Sequence, residues 1–185
     1  MKVLFLDHDG VICLQSEWGT RFKKQRESGG RLPGQTFKEV DLDSRFDNFN
    51  KKAVQVLNEI LEKTGAEIVV SSDWRSHATL EEMGEVYTKG GIIKKPIGYT
   101  TISLKKPENF PWRRDFELEQ TRSLEIFDWL ENHPEVTHWV AVDDLDMGRD
   151  GKNWGLPNFA WTPKENEGIK QTGVKDKILK FLSND

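Results

Sequence analysis

The amino-acid sequence predicts an α/β fold, a three-layer arrangement in which helices cover both faces of an open, mostly parallel sheet. Short apolar runs alternate with longer amphipathic patterns, which is typical of strands linked by crossover helices. Three of the apolar runs end directly in polar residues, as strands do where their carboxyl ends form a binding edge. The chain has 185 residues, 36% hydrophobic and 31% charged. We therefore interpret residues 1–185 as a single domain.

The first half of the chain gives the clearest succession of elements. Residues 3–6 form an apolar run followed closely by Gly10, which predicts a buried strand. Apolar residues with helical spacing over residues 49–61, followed by Gly65, predict a helix. Residues 66–71 then predict a second buried strand. This order of strand, helix and strand indicates a parallel pair with a right-handed crossover.

The second half predicts shorter elements, each inferred from apolar spacing or from β-branched and aromatic content. They are a short helix through Leu80, Met83 and Tyr87 before Gly90, a minor strand within residues 92–104, a helix over residues 121–132 with Thr121 as N-cap and Leu124, Phe127 and Leu130 on one face, strands over residues 137–142 and 159–161, and a closing helix through Val174, Ile178, Leu179 and Leu182.

Residues 14–46 show no clear periodicity and contain the pairs Gly29-Gly30 and Pro33-Gly34. A segment of this length inside a compact domain is often a lid or a binding loop. We therefore expect a flap or small cap insertion after the first strand.

The formal net charge of −4 hides two basic stretches. Residues 21–38 contain six Lys or Arg and one Glu, a local charge of +5, and residues 89–114 contain seven and one, a local charge of +6. Both stretches are rich in Gly and Pro, which predicts loops, where ligand contacts concentrate. A solvated surface explains any single lysine, but together the two stretches favour an anionic ligand.

Cys13 is the only cysteine, which leaves no intramolecular disulfide and no cysteine zinc cluster and fits a reducing compartment. No apolar run is long enough for a membrane span, and the first residues lack the apolar core of a secretory signal. We therefore expect a cytoplasmic protein with no membrane partner. The sequence leaves the oligomeric state open.

Polar side chains follow three of the predicted strands, at the point where each strand ends. They are the carboxylates Asp7 and Asp9, the hydroxyls Ser71 and Ser72, and the carboxylates Asp143 and Asp144. A polar turn is the alternative for the first pair, since Asp-Gly is a common turn dipeptide. Because the carboxyl ends of parallel strands meet at one edge of the sheet, we expect the three pairs to converge. An all-oxygen site of this kind suits magnesium and phosphate chemistry.

The same residues carry a family resemblance. Residues 7–11 (Asp-His-Asp-Gly-Val) resemble the first motif of the haloacid dehalogenase-like (HAD) superfamily, residues 68–72 its second motif, and Asp143-Asp144 its fourth. Residues 56–65, 70–75 and 122–144 resemble more closely the HAD domain of Swiss-army-knife RNA repair proteins and related phage and bacterial proteins. The resemblance implies a Rossmann-like fold.

The resemblance also implies roles for these residues. Asp7 would attack phosphorus and form an aspartyl-phosphate, and Asp9 would act as general acid and base. Magnesium would bind Asp7, the backbone carbonyl of Asp9, and one of the last acid pair, with Asp144 the expected direct ligand and Asp143 behind it. A hydroxyl of Ser71 or Ser72 would hold a phosphoryl oxygen.

The third motif of the family is a lysine or arginine. We assign it to Arg122 because that residue lies at the predicted start of the helix before the fourth motif; Lys105 and Lys106 are the competitors. The alternative for Arg122 is an exposed arginine paired with Glu119 or Glu125.

Four further residues are candidates for substrate binding: Gly10, Asp73, Trp74 and Arg75. For Trp74 and Arg75 the alternatives are a packing tryptophan and a structural ion pair. His8 is expected to point away from the acids, towards the other side of the sheet.

These expectations combine into a magnesium-dependent phosphatase that acts on a phosphomonoester, with a nucleotide or a polynucleotide end as substrate. A phosphatase for small metabolites of the same superfamily is the first alternative. A receiver-like or other non-catalytic phosphate-binding module is the second.

Overall fold

Five parallel strands form the centre of the structure, a computed structural model that describes residues 1–30, 35–101, 114–148 and 154–183. The strand order is β3-β2-β1-β4-β5, and every neighbouring pair is parallel. The strands are β1 (Lys2–Leu6), β2 (Glu67–Val70), β3 (Pro96–Tyr99), β4 (His138–Asp143) and β5 (Phe159–Trp161). The predicted α/β fold with a parallel sheet is confirmed.

Helices cover both faces of this sheet. They are α1 (Thr20–Glu27), α2 (Leu42–Arg45), α3 (Lys51–Thr64), α4 (Leu80–Lys89), α5 (Arg114–Glu131) and α6 (Val174–Leu182). One core cluster joins α3, α4 and α6 to alternate strand residues such as Leu6, Val70 and Val142. The other joins Ile126 and Trp129 of α5 to the opposite set. Burial on both faces explains why the strands are almost entirely apolar.

The register of the strands sets the position of the polar residues that follow them. Leu6 lies opposite Val70 on one side and Val142 on the other. Asp7, Ser71 and Asp143 therefore occupy the next position along the same edge of the sheet. Since side chains alternate between the two faces of a strand, Asp7 points to the face that α5 covers.

Two predictions about helices are wrong. Helix α5 begins at Arg114, so Thr121 lies inside the helix and is not its N-cap. Leu124, which we expected on the buried face, is 50% exposed, whereas Ile126 is fully buried. The polar sequence before Thr121 carries no apolar stripe, and the buried face of this helix includes a charged residue, Arg122. For these two reasons the sequence pattern predicts neither where α5 begins nor which of its side chains are buried.

The segment after β1 contains more helix than its composition predicts. Helix α1 lies within the first basic stretch, which we expected to be a loop. Residues 102–113 of the second basic stretch lie outside the described residues, as does the end of the predicted minor strand. The part of that strand that the structure describes is β3.

Arg45 fixes the end of this segment to the body of the protein. Its buried guanidinium donates to the backbone carbonyls of Lys38, Val40 and His77 and pairs with Glu82 of α4 at 3.1 Å. A buried arginine with this many partners is well satisfied. Among the described residues, no helix has the length and apolar character needed to cross a membrane.

Candidate active site

Three carboxylates meet at the carboxyl edge of the sheet. Asp7, Asp143 and Asp144 each offer an oxygen atom within 4.8 Å of the others. Asp7 and Asp143 are only 4% and 1% exposed, and Asp144 is half-buried. The structure therefore brings Asp7 together with both acids that follow β4. Asp9 lies outside this three-carboxylate cluster.

Gly10 allows Asp144 to approach the first strand. Its φ angle is +67°, and a Cβ atom at this position would lie 2.7 Å from both Cβ and Oδ2 of Asp144. Any side chain here would displace that carboxylate, and φ in this region is itself unfavourable for other residues. Gly10 thus has a steric role, which sequence reasoning did not identify.

Arg122 supplies the positive charge of the site from α5. Its Nη1 atom lies 2.9 Å from Oδ2 of Asp143 and 3.3 Å from Oδ2 of Asp7, and its Nη2 atom lies 3.2 Å from Oδ1 of Asp73. The side chain is buried, so the alternative of an exposed arginine is wrong. The expected position at a helix start is also wrong, because the residue lies near the middle of α5.

Asp143 and Asp144 are held differently. Oδ1 of Asp143 accepts from the backbone N–H of Leu145 at 2.9 Å, and Oδ2 accepts from Arg122. Both oxygens of Asp143 are therefore engaged by protein donors. Asp144 accepts from Nε1 of Trp161 through its backbone carbonyl, at 2.8 Å, and its side chain forms a hydrogen bond with that of Asp143 but contacts no arginine in the described structure. This difference favours Asp144 as the acid that faces a ligand.

Burial and mutual repulsion raise the pKa values of the three acids in this cluster. Burial, with the nearby charge of Asp143, raises the pKa of Asp7, although Arg122 opposes the shift. Burial also raises the pKa of Asp143, and burial together with the charge of Asp7 raises the pKa of Asp144 to about 6. One arginine does not balance three buried carboxylates. The donor set, all oxygen and with excess negative charge, fits a hard divalent cation such as Mg²⁺.

Asp9 is held by an indole. Its Oδ2 atom accepts from Nε1 of Trp74 at 2.9 Å. The Trp74 ring is stacked against Phe46 and Phe49, with ring centroids 4.8 Å and 5.4 Å away. Burial raises the pKa of Asp9, while the Trp74 hydrogen bond acts in the opposite direction. Sequence reasoning left the role of Trp74 open, because neither stacking partner lies near it in the sequence.

His8 lies on the other face of the sheet, as expected. It is fully buried, and its Nε2 atom lies 2.7 Å from the hydroxyl of Tyr87. Burial lowers the pKa of His8 to about 3, with a smaller effect from the charge of Arg122. The ring is neutral at ordinary pH and packs among the aromatic residues behind Asp9.

The two hydroxyls after β2 differ in their partners. Ser72 forms a hydrogen bond with the side chain of Asp7 and accepts from the backbone N–H of Trp74. The Oγ atom of Ser71 is buried and has no hydrogen-bond partner in the part of the chain that is described. Ser71 is in register with Asp7, so either hydroxyl is close enough to serve a ligand there.

The remaining candidates fall into two groups. Nη2 of Arg75 lies 2.5 Å from Glu125, and its Nη1 atom donates to Thr100 at 2.6 Å, with all three residues buried. This arrangement favours the structural ion pair over substrate binding. Asp73, by contrast, is exposed and contacts Arg122 at the margin of the site. Lys105 and Lys106 lie outside the described residues.

Comparison with known proteins agrees with this geometry. Residues 3–171 match one protein family, the HAD domain in Swiss Army Knife RNA repair proteins. No curated protein and no solved structure gave a match. The matched span contains most of β1, the hydroxyl pair, Arg122 and the last acid pair. The chain therefore belongs to the family of HAD domains found in Swiss Army Knife RNA repair proteins.

Proposed function

We propose that this chain is a magnesium-dependent phosphomonoesterase that works through an aspartyl-phosphate on Asp7. The family indicates a phosphatase-type hydrolase in an RNA repair context. The single observation that supports the finer proposal is the placement of Asp7. It contacts Arg122 and lies beside both acids after β4, while Asp9, two residues later, is held separately by Trp74.

The two aspartates divide the proposed chemistry. A carboxylate oxygen of Asp7 attacks phosphorus, and the bond from phosphorus to the ester oxygen breaks while Asp9 gives its proton to that oxygen. Asp9 then takes a proton from water, and the resulting hydroxide displaces Asp7 from phosphorus and releases inorganic phosphate. The raised pKa of Asp9 suits a group that must carry a proton in the first step.

The other residues prepare the nucleophile and the phosphoryl group. Asp7, Asp144 and the backbone carbonyl of Asp9 would hold Mg²⁺, which supplies positive charge to the phosphoryl oxygens and keeps Asp7 ionised. Arg122 opposes protonation of Asp7 in the same way, and Asp143 fixes the guanidinium in place. A hydroxyl of Ser71 or Ser72 donates to a phosphoryl oxygen.

The proposed substrate is a nucleotide or a phosphorylated polynucleotide end. It rests on the family association and on the basic residues of the segment after β1. We further propose that residues 14–46 act as a small flap beside the site of a single domain, and that the protein works in the reducing cytoplasm, where the buried free thiol of Cys13 stays reduced. A small phosphometabolite is the alternative substrate.

Phosphate release with Mg²⁺ tests the proposal. The substrates are p-nitrophenyl phosphate, free nucleotides and 3′-phosphorylated oligonucleotides, each with and without a chelator. We expect turnover that requires the metal and that Asp7→Asn abolishes, while Asp128→Asn, a matched change at an exposed position on α5, retains it. Turnover of none of the substrates with any divalent metal would refute the phosphatase. Turnover of small esters alone would favour the metabolite alternative.

A further inference from the structure

Helix α1 has its aromatic side chain on the outside. No residue of this helix is buried, and Phe22 is 51% exposed. Trp18, just before the helix, is 42% exposed. Two large aromatic residues within one turn of each other, both in contact with solvent, need a reason other than core packing.

The inner face of α1 is polar. The backbone N–H of Arg21 donates to Asp47 at 2.7 Å, Lys24 donates to the side chain of Asn48 at 3.1 Å, and Gln25 donates to the carbonyl of Ser44 at 2.8 Å. An ordinary surface helix buries its apolar stripe and exposes its polar residues. Helix α1 does the reverse, so polar contacts hold it to the protein and its aromatic residue stays available.

The charge of this surface is positive. Helix α1 has four basic residues and one glutamate, a net charge of +3, in a chain whose formal charge is −4. The guanidinium of Arg21 lies over the Phe22 ring, 4.9 Å from its centroid, and Lys23 and Arg26 are exposed. Exposed aromatic rings among basic side chains fit unpaired nucleotides, whose bases stack while their phosphates bind the cations.

One residue of α1, Lys24, lines a cavity together with aromatic residues that pack around Trp74. The cavity has a volume of about 490 Å³, and its lining includes Lys24, Phe46, Asp47 and Phe49. Phe46 and Phe49 stack on Trp74, whose indole holds Asp9. The charge of Arg21, at the start of α1, is near enough to lower the pKa of Asp9 against the effect of burial, which places this end of the helix beside the site.

We propose that Trp18, Phe22 and the basic residues Lys23 and Arg26 form a stacking surface for the unpaired nucleotides next to a phosphorylated end. The inference rests on the proposed function, since it assigns a substrate class to that site. It commits to single-stranded nucleic acid as the occupant. A second copy of the chain and a duplex are outcomes that the test separates.

Direct binding tests this surface without turnover. Fluorescence anisotropy measures the affinity of the full chain carrying Asp7→Asn for labelled single-stranded RNA of about ten nucleotides. In that background, Phe22→Ala and Trp18→Ala should each raise Kd about tenfold, because each removes one stacking partner. The double change Lys23→Glu, Arg26→Glu should weaken binding and reduce its dependence on salt.

The controls are exposed residues on other elements. Leu124→Ala on α5 removes an equally exposed apolar side chain, and the double change Lys177→Glu, Lys180→Glu on α6 makes an equivalent charge change at exposed positions. Both should leave Kd unchanged, and a thermal melt of each variant checks folding. The inference is overturned if Phe22→Ala and Trp18→Ala bind RNA like their parent, if a duplex binds as tightly as a single strand, or if the aromatic variants instead abolish self-association.

The two proposals fail separately. RNA binding that depends on Phe22, in a protein that hydrolyses no phosphate ester, would refute the phosphatase and retain the surface. Phosphatase activity in a protein whose RNA affinity does not change in Phe22→Ala or Trp18→Ala would support the phosphatase and refute the stacking surface.

Discussion

The indole nitrogen of Trp74 donates to Oδ2 of Asp9 at 2.9 Å, while the Trp74 ring is stacked on both Phe46 and Phe49. Stacking fixes the plane of the ring and therefore the direction of its N–H. Because the acceptor is the proposed general acid, this hydrogen bond orients the carboxyl group of Asp9 and lowers its pKa against the larger effect of burial. Trp74 is thus a positioning residue in the proposed mechanism.

Trp74→Phe should separate the two contributions of this residue, since phenylalanine retains the stacking and loses the N–H. The hydrogen bond stabilises the ionised form of Asp9, so its loss should raise the pKa of Asp9 and move the corresponding limb of the pH profile to higher pH. We expect kcat to fall about tenfold, consistent with the usual strength of a charged hydrogen bond. Trp129→Phe, in the core on the other face, is the control and should not move the profile.

Replacement of Arg122 should affect activity and stability together. Arg122→Met leaves Asp7 and Asp143 buried without their cation, which should raise the pKa of both and shift the acid limb of the profile to higher pH. We expect kcat/KM to fall by about 10² to 10³ and the free energy of unfolding to fall by about 3 kcal/mol. Arg122→Lys should restore part of the activity, since lysine keeps the positive charge but lacks the planar guanidinium group that donates to two carboxylates at once.

Arg45→Met is the matched control for a buried arginine. It should lower the melting temperature and leave the acid limb in place, because Arg45 contacts none of the site carboxylates in the described structure. An unchanged acid limb in Arg122→Met would contradict the role that we assign to Arg122.

Gly10→Ala should remove activity for a steric reason. The new Cβ would collide with Asp144, so we expect loss of Mg²⁺ binding, measured by calorimetry, in addition to backbone strain of about 1 kcal/mol. Gly65→Ala separates the two effects, since Gly65 has φ of +68° and a Cβ atom added there would meet nothing within 4 Å. Gly65→Ala should lower the free energy of unfolding by the backbone strain alone and should bind Mg²⁺ normally. Equal Mg²⁺ affinity in the two variants would contradict the steric explanation.

Metal binding should strengthen as pH rises. In the metal-free protein the folded state keeps a proton on Asp144 up to about pH 6, because its pKa lies above the ordinary value of 3.8. That group therefore favours the folded state at low pH, and its contribution is lost as pH rises through this window. Mg²⁺ must displace the proton, so its affinity should rise with pH until Asp144 is ionised.

The measurement is the increase in melting temperature on addition of Mg²⁺, compared below and above pH 6. We expect the larger increase at the higher pH. Asp144→Asn removes the titrating group and should give a small increase at both values, whereas Asp128→Asn should behave like the wild type. An increase that is independent of pH in the wild type would argue against Asp144 as a ligand.

Much of the fold and the acid cluster could be predicted because both depend on local pattern. The strand β1 is apolar through most of its length and is followed directly by Asp7, and the position of that end along the sheet follows from parallel pairing. The same logic identifies the acids after β4. A strand that is buried on both faces is apolar at nearly every position, so its place in the sequence is easy to identify.

The errors arose where tertiary contacts override local pattern. Helix α1 buries no residue, so it has no apolar stripe to detect, and its contacts with Asp47 and Ser44 come from residues far along the chain. Helix α5 places Arg122 on its inner face, where a sequence pattern expects an apolar residue. The hydrogen bond from Trp74 to Asp9 depends on a ring orientation that only the folded chain defines.

The anchoring of Arg45 has a consequence for how such proteins can diverge. Its contacts join the end of the segment after β1 to the start of α4 and do not involve residues 15–30. We therefore expect that exchange of those residues between relatives leaves Phe46 and Trp74 in their places around Asp9, provided that the contacts of α1 with Ser44, Asp47 and Asn48 are kept. Grafting residues 15–30 of a relative, with these contacts preserved, would then offer a route to altered selectivity without rebuilding the proposed catalytic carboxylates.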